Sequence, residues 1–384
     1  MKRFALSSVL VVAVPAAAAL AAACTVTRYE DQVVTRDGGA TSSGETPGTT
    51  TNPLEGLAPD WQAKAIAFLD VSTKSWLTSP PKVANIACAM SCHTTFAYSA
   101  MAAAALRPFG ATAQADAARV KFEARVDEHV AGTATPMYGK NGDAKTKESF
   151  ATEAVLNAAA LSLDDLNAGK TLSAKSKTAL DRMWAQQSAD GSWAWLEFGL
   201  EPWETRNDWG TAMAGFVAGS VPAGTSSAQA AGTTKLIGYL KGRLKSMAFH
   251  DRVTVLWVSS KLPDLLTAEE KTAIVDELTA KQKEDGGFAL GTWGKGDLAA
   301  DASKSSDGYA TALATLALCT SSAEGKSNAA ALKSLSWLAK NQQENGSWPG
   351  QSVNSDTARA KGFMTDAATS YAVAAITTCA PDKK

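Results

Sequence analysis

The chain has 384 residues, 45% of them hydrophobic, and a formal net charge of −1. Such a length and apolar fraction suffice for a large buried core, and a charge near zero offers no basic footprint for nucleic acid. Abundant Ala and Leu favour helix over sheet.

The first 23 residues read as an export signal. Lys2 and Arg3 precede an apolar run from Phe4 to Leu20, and Ala21-Ala22-Ala23 supply small residues before Cys24. The run falls short of the ~20 residues that a membrane-spanning helix needs. Small residues ending in Cys resemble a bacterial lipoprotein signal, with Cys24 as the lipidated first residue of the mature chain. Ordinary cleavage after an A-x-A site is the alternative. Either way the protein is expected outside the cytoplasm, in the periplasm or outer envelope, and lipidation would anchor it to the bilayer. Residues 24–56 are rich in Thr, Ser and Gly, which cannot bury enough apolar surface to order themselves, and read as a flexible tether.

From residue 57 to 380 the chain repeats a pair of helices. The second member of each pair is strongly apolar and begins at His93, Ser149, Asp208, His250, Asp307 and Asp366, with starts 56, 59, 42, 57 and 59 residues apart. Each is preceded by a striped helix: Trp61 to Leu77, Ala113 to Val130, Ser176 to Gln187, Ala228 to Met247, Ala268 to Lys283 and Ser327 to Gln342. In the last of these, Leu332, Leu335, Trp337 and Leu338 mark one face. A helix that is apolar all round is buried, whereas a striped one faces water. The expected fold is therefore all-α, an (α/α)6 toroid with the second helices as an inner ring. No polar capping repeat is visible at either end, which favours a closed ring over an open array. Asp208, Asp307, Asp366, Ser149 and Thr94 or Thr95 then stand at one mouth, either as N-caps or as pocket residues.

Three of the striped helices run out into a shared phrase. It reads QQSADGSW at Gln186–Trp193, QKEDGGF at Gln282–Phe288 and QQENGSW at Gln342–Trp348. This resembles the QW repeat of the squalene-hopene and oxidosqualene cyclase superfamily. That resemblance implies a helical toroid in which Gln186 or Gln187 with Trp193, and Gln342 or Gln343 with Trp348, brace the outer wall. Phe288 replaces the Trp in the second copy, and repeats 1, 2 and 4 lack the motif. No D-x-D-D run supplies the family's acid, and the chain has room for one barrel rather than two. The zinc-ligand pattern of prenyltransferase β-subunits is also missing, so the resemblance implies a fold without an activity.

Three stretches could carry chemistry. CAMSCHTT, Cys88 to Thr95, resembles a c-type haem attachment site, with Cys88 and Cys92 as thioether partners and His93 as the iron ligand. The spacing between the cysteines is one residue wider than usual, and a disulfide or an inert thiol pair is the alternative. If repeat 6 closes on repeat 1, Met364 becomes a neighbour of His93 and a candidate second ligand. The loop WAWLEFGLEPWETRNDW presents Trp193, Trp195, Phe198, Trp203 and Trp209, whose faces could stabilise a cation, stack on an apolar, aromatic or sugar ligand, or wall a haem. Its Glu201 and Glu204, with the rim residues Asp208, Asp307 and Asp366, are candidates for acid–base catalysis. Lys295 and Arg359, on polar loops leading into the last two inner helices, could meet an anionic group. Finally, Cys319 and Cys379 end inner helices 5 and 6 at related positions and could pair in an exported protein.

These readings leave three functions open. The first is a ligand-binding toroid carrying covalent haem c, with a small molecule or a redox partner. The second is a cyclase- or lyase-type enzyme using the Trp-rich loop, and the third is a non-catalytic envelope scaffold.

Overall fold

The computed structural model describes residues 52–78, 90–140, 142–294, 304–355 and 357–381. The signal, residues 24–51 of the tether (Cys24 among them), Cys88 and Lys295 lie outside the described residues, and the tether's last residues, 52–56, form turns with Leu54 packed against the core.

Local signals start the helices. Asp143 accepts from the Thr146 amide ahead of α5 (Ala144–Asn167), and Ser173 caps α6 (Ala174–Ala185). Thr267 and Glu270 form a reciprocal capping box on α10 (Ala268–Ala280). Asp307, Asn328 and Thr357 cap α11 (Gly308–Ser321), α12 (Ala329–Lys340) and α13 (Ala358–Cys379).

The apolar helices form the inner ring. The first is broken into α2 (Thr95–Ala97), a π-helical turn (Tyr98–Ala102) and α3 (Ala103–Leu106). It packs on α5, α5 on α7 (Asn207–Ser220), and α7 on α9 (Phe249–Val258). The ring continues from α9 to α11 and from α11 to α13, and α13 returns to the π-helical turn. Six inner elements thus close in chain order. Small residues permit this close approach, and α11 is buried without interruption from Gly308 to Cys319. The striped helices α1 (Trp61–Thr78), α4 (Ala113–Val130), α6, α8 (Gln229–Arg243), α10 and α12 lie outside, each against the inner ring. The fold is the all-α toroid expected from the repeat.

The Gln phrase supplies the outer seams. Gln187, Gln282 and Gln342 each donate to the carbonyl of the Gly four residues on, at 3.0, 2.9 and 3.1 Å. Each also donates to a carbonyl on the next outer helix: Gly232, Ala330 and Trp61, at 2.9, 2.8 and 3.0 Å. Both amide hydrogens are used. Trp193 and Trp348 turn inward and donate to the Met183 and Leu338 carbonyls at 2.7 Å. Phe288 fills the same place in the middle copy and is fully buried.

Two helix starts differ from the sequence reading by more than two residues. α5 begins five residues before Ser149, because Asp143 caps it, and α13 begins eight residues before Asp366, because Thr357 caps it. The polar stretch Ala358–Thr365 looks like loop, yet it carries no proline and its apolar Phe363 and Met364 extend the buried face. Among the described residues, no helix is long and apolar enough to cross a membrane.

Candidate functional site

All six inner elements run in one direction, so their N-terminal ends share a rim. A cavity of about 390 Å³ opens there. Repeat 1 contributes Trp76, Met90, Cys92 and His93. The Trp-rich loop contributes Leu200, Glu201, Trp203 and Glu204, and the segment leading into and opening α13 contributes Asn354, Arg359, Phe363 and Met364. Thr152 and Leu156 of α5 line it too, with Met137 and Tyr138 from the segment ahead of that helix. The mouth is therefore a pocket and is not filled by side chains.

The loop is held over the pocket from two sides. The Glu201 amide donates to Asn354 Oδ1 at 2.9 Å, and Asn354 Nδ2 donates back to the Glu201 carbonyl at 2.5 Å. On the other side Lys145 donates to the Glu197 carbonyl at 2.6 Å and lies 4.6 Å from the Phe198 ring centre.

His93 is the most constrained polar group. Its ring stacks on Phe363 with centres 4.0 Å apart, meets Trp76 edge-on at 5.3 Å, and lies 6.4 Å from Trp203. The Thr94 hydroxyl donates to Asp366 Oδ2 at 2.6 Å, so its oxygen is left to accept from His93 Nδ1–H at 2.8 Å. Ser91 Oγ also stands 3.0 Å from Nδ1, and with the Thr94 proton on Asp366 the Nδ1–H group is shared between the two oxygens, which leaves Nε2 as the acceptor. Desolvation, and then the charge of Arg359, hold His93 down to about 3. The imidazole is neutral at physiological pH, suited to accepting a hydrogen bond or ligating a soft metal, and too weak a base to take up a proton there. Burial raises Glu204 to about 7, with Lys145 pulling the other way. Burial also raises Asp366 to about 6, against hydrogen bonds from Thr94 and Ser72.

Of the proposed catalytic carboxylates, Glu201 and Glu204 line the pocket. Asp366 stands behind His93 and reaches it through Thr94. Asp208 points the other way, to Tyr239 at 2.9 Å and to Arg243 at 3.2 Å on α8, and ties the inner ring to the outer wall. Asp307 is an N-cap, accepting from the Ala310 amide at 2.9 Å and the Leu290 amide at 2.7 Å. Burial carries it to about 7 against these donors. Both sit outside the pocket, to which neither α7 nor α11 contributes a residue.

The aromatic loop divides likewise. Trp203 lines the pocket, whereas Trp193, Trp195 and Trp209 are buried in the wall. Trp195 donates to the Trp203 carbonyl at 2.8 Å and packs on Trp209 at 5.4 Å, so both support Trp203 from behind. Phe198 is 39% exposed on the loop's outer side, over Tyr138. Behind Trp203 runs a relay that the sequence does not announce. Trp203 Nε1 donates to Tyr309 Oη at 2.9 Å, Tyr309 meets His250 Nε2 at 2.8 Å, and His250 Nδ1 meets Asp251 at 3.1 Å. These residues come from repeats 3, 4 and 5, and nothing in their spacing signals the contact.

Cys92, His93 and Met364 line one cavity, so a thiol, a neutral imidazole and a thioether converge there. This donor set suits haem iron in type. Among the described residues no three His, Cys, Asp or Glu side chains gather to hold a metal ion. Cys319 and Cys379 are joined in a disulfide at the opposite rim, with Cα atoms 5.7 Å apart.

No protein-family model matches the chain, and neither does any curated protein. Among solved structures, a protein from Actinoplanes is 13% identical, covering 83% of this chain and 100% of its own, with a TM-score of 0.47. A variant of the type II terpene cyclase MstE from Scytonema, in complex with its substrate geranylgeranyl dihydroxybenzoate, is 16% identical. It covers 84% of this chain and 97% of its own, with a TM-score of 0.44. Likeness at this level carries no argument about activity, and the closed ring rests on this chain's own helix contacts.

Proposed function

We propose that the chain is a binding protein for an apolar small molecule with one anionic head, held in the cavity at the N-terminal rim. One observation carries the reading. Trp76, Trp203 and Phe363, from repeats 1, 3 and 6, face a single cavity beside a neutral His93. Arg359 lies over Phe363 with its guanidinium carbon 5.4 Å from the ring centre, and among the described residues it has no carboxylate partner. An apolar body would stack on the aromatic walls, and the head would meet Arg359 at the entrance.

Titration of the full chain with trans-parinaric acid, an apolar polyene carboxylate, tests this. Saturable binding with energy transfer from Trp is expected. Trp203→Ala or Phe363→Ala should weaken it about tenfold, which corresponds to roughly 1.4 kcal/mol. Unchanged affinity in both variants, with melting like the parent's, overturns the reading.

The shared cavity of Cys92, His93 and Met364 favours a second reading, covalent haem c attached through Cys88 and Cys92. His93 and Met364 would hold the iron, and the haem would supply one-electron redox chemistry. Protein purified from an exporting host decides it. A Soret band that stays with the polypeptide through acid–acetone extraction supports haem, and a processed chain without one removes it. Export and a lipid anchor at Cys24 belong to the same proposal. Cys24→Ala should release the protein from the membrane fraction.

A further inference from the structure

At the opposite rim, the C-terminal ends of all six inner elements surround a second cavity of about 630 Å³. Its floor is apolar and aromatic. Phe216 and Trp257 pack with ring centres 4.2 Å apart, and both are buried. Its polar lining offers mainly acceptors. Ser220, Ser260, Thr320 and Thr377 each donate their hydroxyl proton to a carbonyl of their own helix, at 2.7, 2.7, 2.6 and 2.8 Å. Asn167 spends an amide hydrogen on the Ala100 carbonyl at 3.4 Å. The four hydroxyl protons are used inside the wall, so these oxygens offer the cavity lone pairs, while Asn167 keeps its second amide hydrogen and Thr378 adds one more hydroxyl to the lining. The helix ends add to this, because their last carbonyls carry the negative pole of each helix dipole. The one charged side chain on the lining among the described residues, Lys261, stands exposed at the edge.

We propose that this second cavity binds an organic ammonium ion. Its N–H groups meet the acceptor oxygens and its apolar or aromatic body rests on Trp257 and Phe216. A carboxylate would meet these lone pairs and the negative helix ends with only Asn167 Nδ2, the Thr378 hydroxyl and Lys261 as donors, so the site favours a cation. The Cys319–Cys379 disulfide joins the helix ends that carry Thr320 and Thr377, and so fixes the spacing of two acceptors. This site is separate from the cavity at the N-terminal rim and does not rest on the function proposed for it.

Calorimetric titration of the purified chain with 2-phenylethylammonium tests the proposal, with 3-phenylpropanoate and 3-phenylpropanol as anionic and neutral counterparts. The ammonium should bind, the anion should not, and the alcohol should bind at least about tenfold more weakly. Thr320→Lys, at a partly exposed position, should abolish binding while the chain melts as the parent does. Lys261→Gln should tighten it about threefold to tenfold by removing the opposing charge. Absence of ammonium binding, equal binding of the anion or the alcohol, or indifference to Thr320→Lys in a folded variant would each overturn it.

Discussion

The Gln342 side chain donates to the Trp61 carbonyl at 3.0 Å, across a sequence separation of 281 residues. With that bond the outer wall of the sixth repeat is sewn to that of the first. Gln187 and Gln282 make the same stitch between other neighbours. Gln342→Ala, Gln187→Ala and Gln282→Ala should each cost about 1–3 kcal/mol, because two carbonyls lose their donor. Gln186→Ala, in the adjacent position, should stay within about 0.5 kcal/mol. Urea unfolding measures both, and equal effects at Gln186 and Gln187 would refute the assignment.

Gly346 makes the same seam intolerant of any side chain. It sits at φ +91°, in the left-handed region, and a Cβ there would overlap the Lys64 carbonyl of the first outer helix. Gly191 meets Lys235 and Gly286 meets Lys333 in the same way. Gly346→Ala should therefore destabilise by more than the roughly 1 kcal/mol of backbone strain alone. A control at Gly238, where a Cβ would meet nothing, should be neutral or stabilising in the same thermal melt.

The ring and its two layers were legible because they depend on local periodicity, which a helix writes into sequence every three or four residues. The QW-like phrase was legible for the same reason, since its Gln, Gly and Trp act within eight residues of one another. The cavity was legible only in part. His93, Glu201, Glu204, Trp203 and Met364 drew attention as unusual residue types near helix starts, and they line one space. Asp208 and Asp307 drew the same attention and face elsewhere. A residue's place near a rim does not fix its direction, which is set by the turn of helix between it and its neighbours. Phe363, Trp76 and the Tyr309–His250 pair went unread because each meets its partner across repeats.

Tyr309 should control Trp203 without touching the ligand. Its hydroxyl accepts the Trp203 indole N–H and bonds to His250, and all three side chains are buried. Tyr309→Phe leaves that N–H without a partner inside the barrel, at a cost of about 1–3 kcal/mol. Stability should fall by that amount, and parinarate affinity should fall with it as Trp203 loses its anchor. A variant that loses stability but keeps parental affinity would show that the relay only packs the core.

The Cys319–Cys379 bridge spans 60 residues of sequence. On the chain-entropy account, a loop of that length contributes up to about 4 kcal/mol by restricting the unfolded state. Cys319→Ser with Cys379→Ser should lower the melting temperature markedly, and a reductant should do the same to the parent and nothing to the double variant. Reductant-insensitive melting of the parent would mean that the bond is absent in solution.

Glu204 gives the cavity a pH dependence with a definite sign. Burial raises it from 4.5 to about 7, so the folded chain keeps a proton that the unfolded chain has released. Its contribution to stability is full below about pH 4.5 and is lost as the pH rises through 7. Asp307 acts in the same direction through about 7, and Asp366 through about 6. His93 acts in the opposite direction. Lowered from 6.5 to about 3, its contribution is present above 6.5 and lost as the pH falls toward 3. At pH 6.5 the unfolded imidazole is still half protonated, so from there to pH 8 its remaining gain is small beside the loss from the three carboxyls. The melting temperature should fall across that window. Parinarate affinity should fall with it, about threefold to tenfold, as an ionised Glu204 comes to face an anionic ligand. Glu204→Gln keeps the shape and removes the titration, so its affinity should be flat with pH and its melting temperature should fall less. An affinity profile identical in the parent and in Glu204→Gln would place the titrating group elsewhere and take Glu204 out of the site.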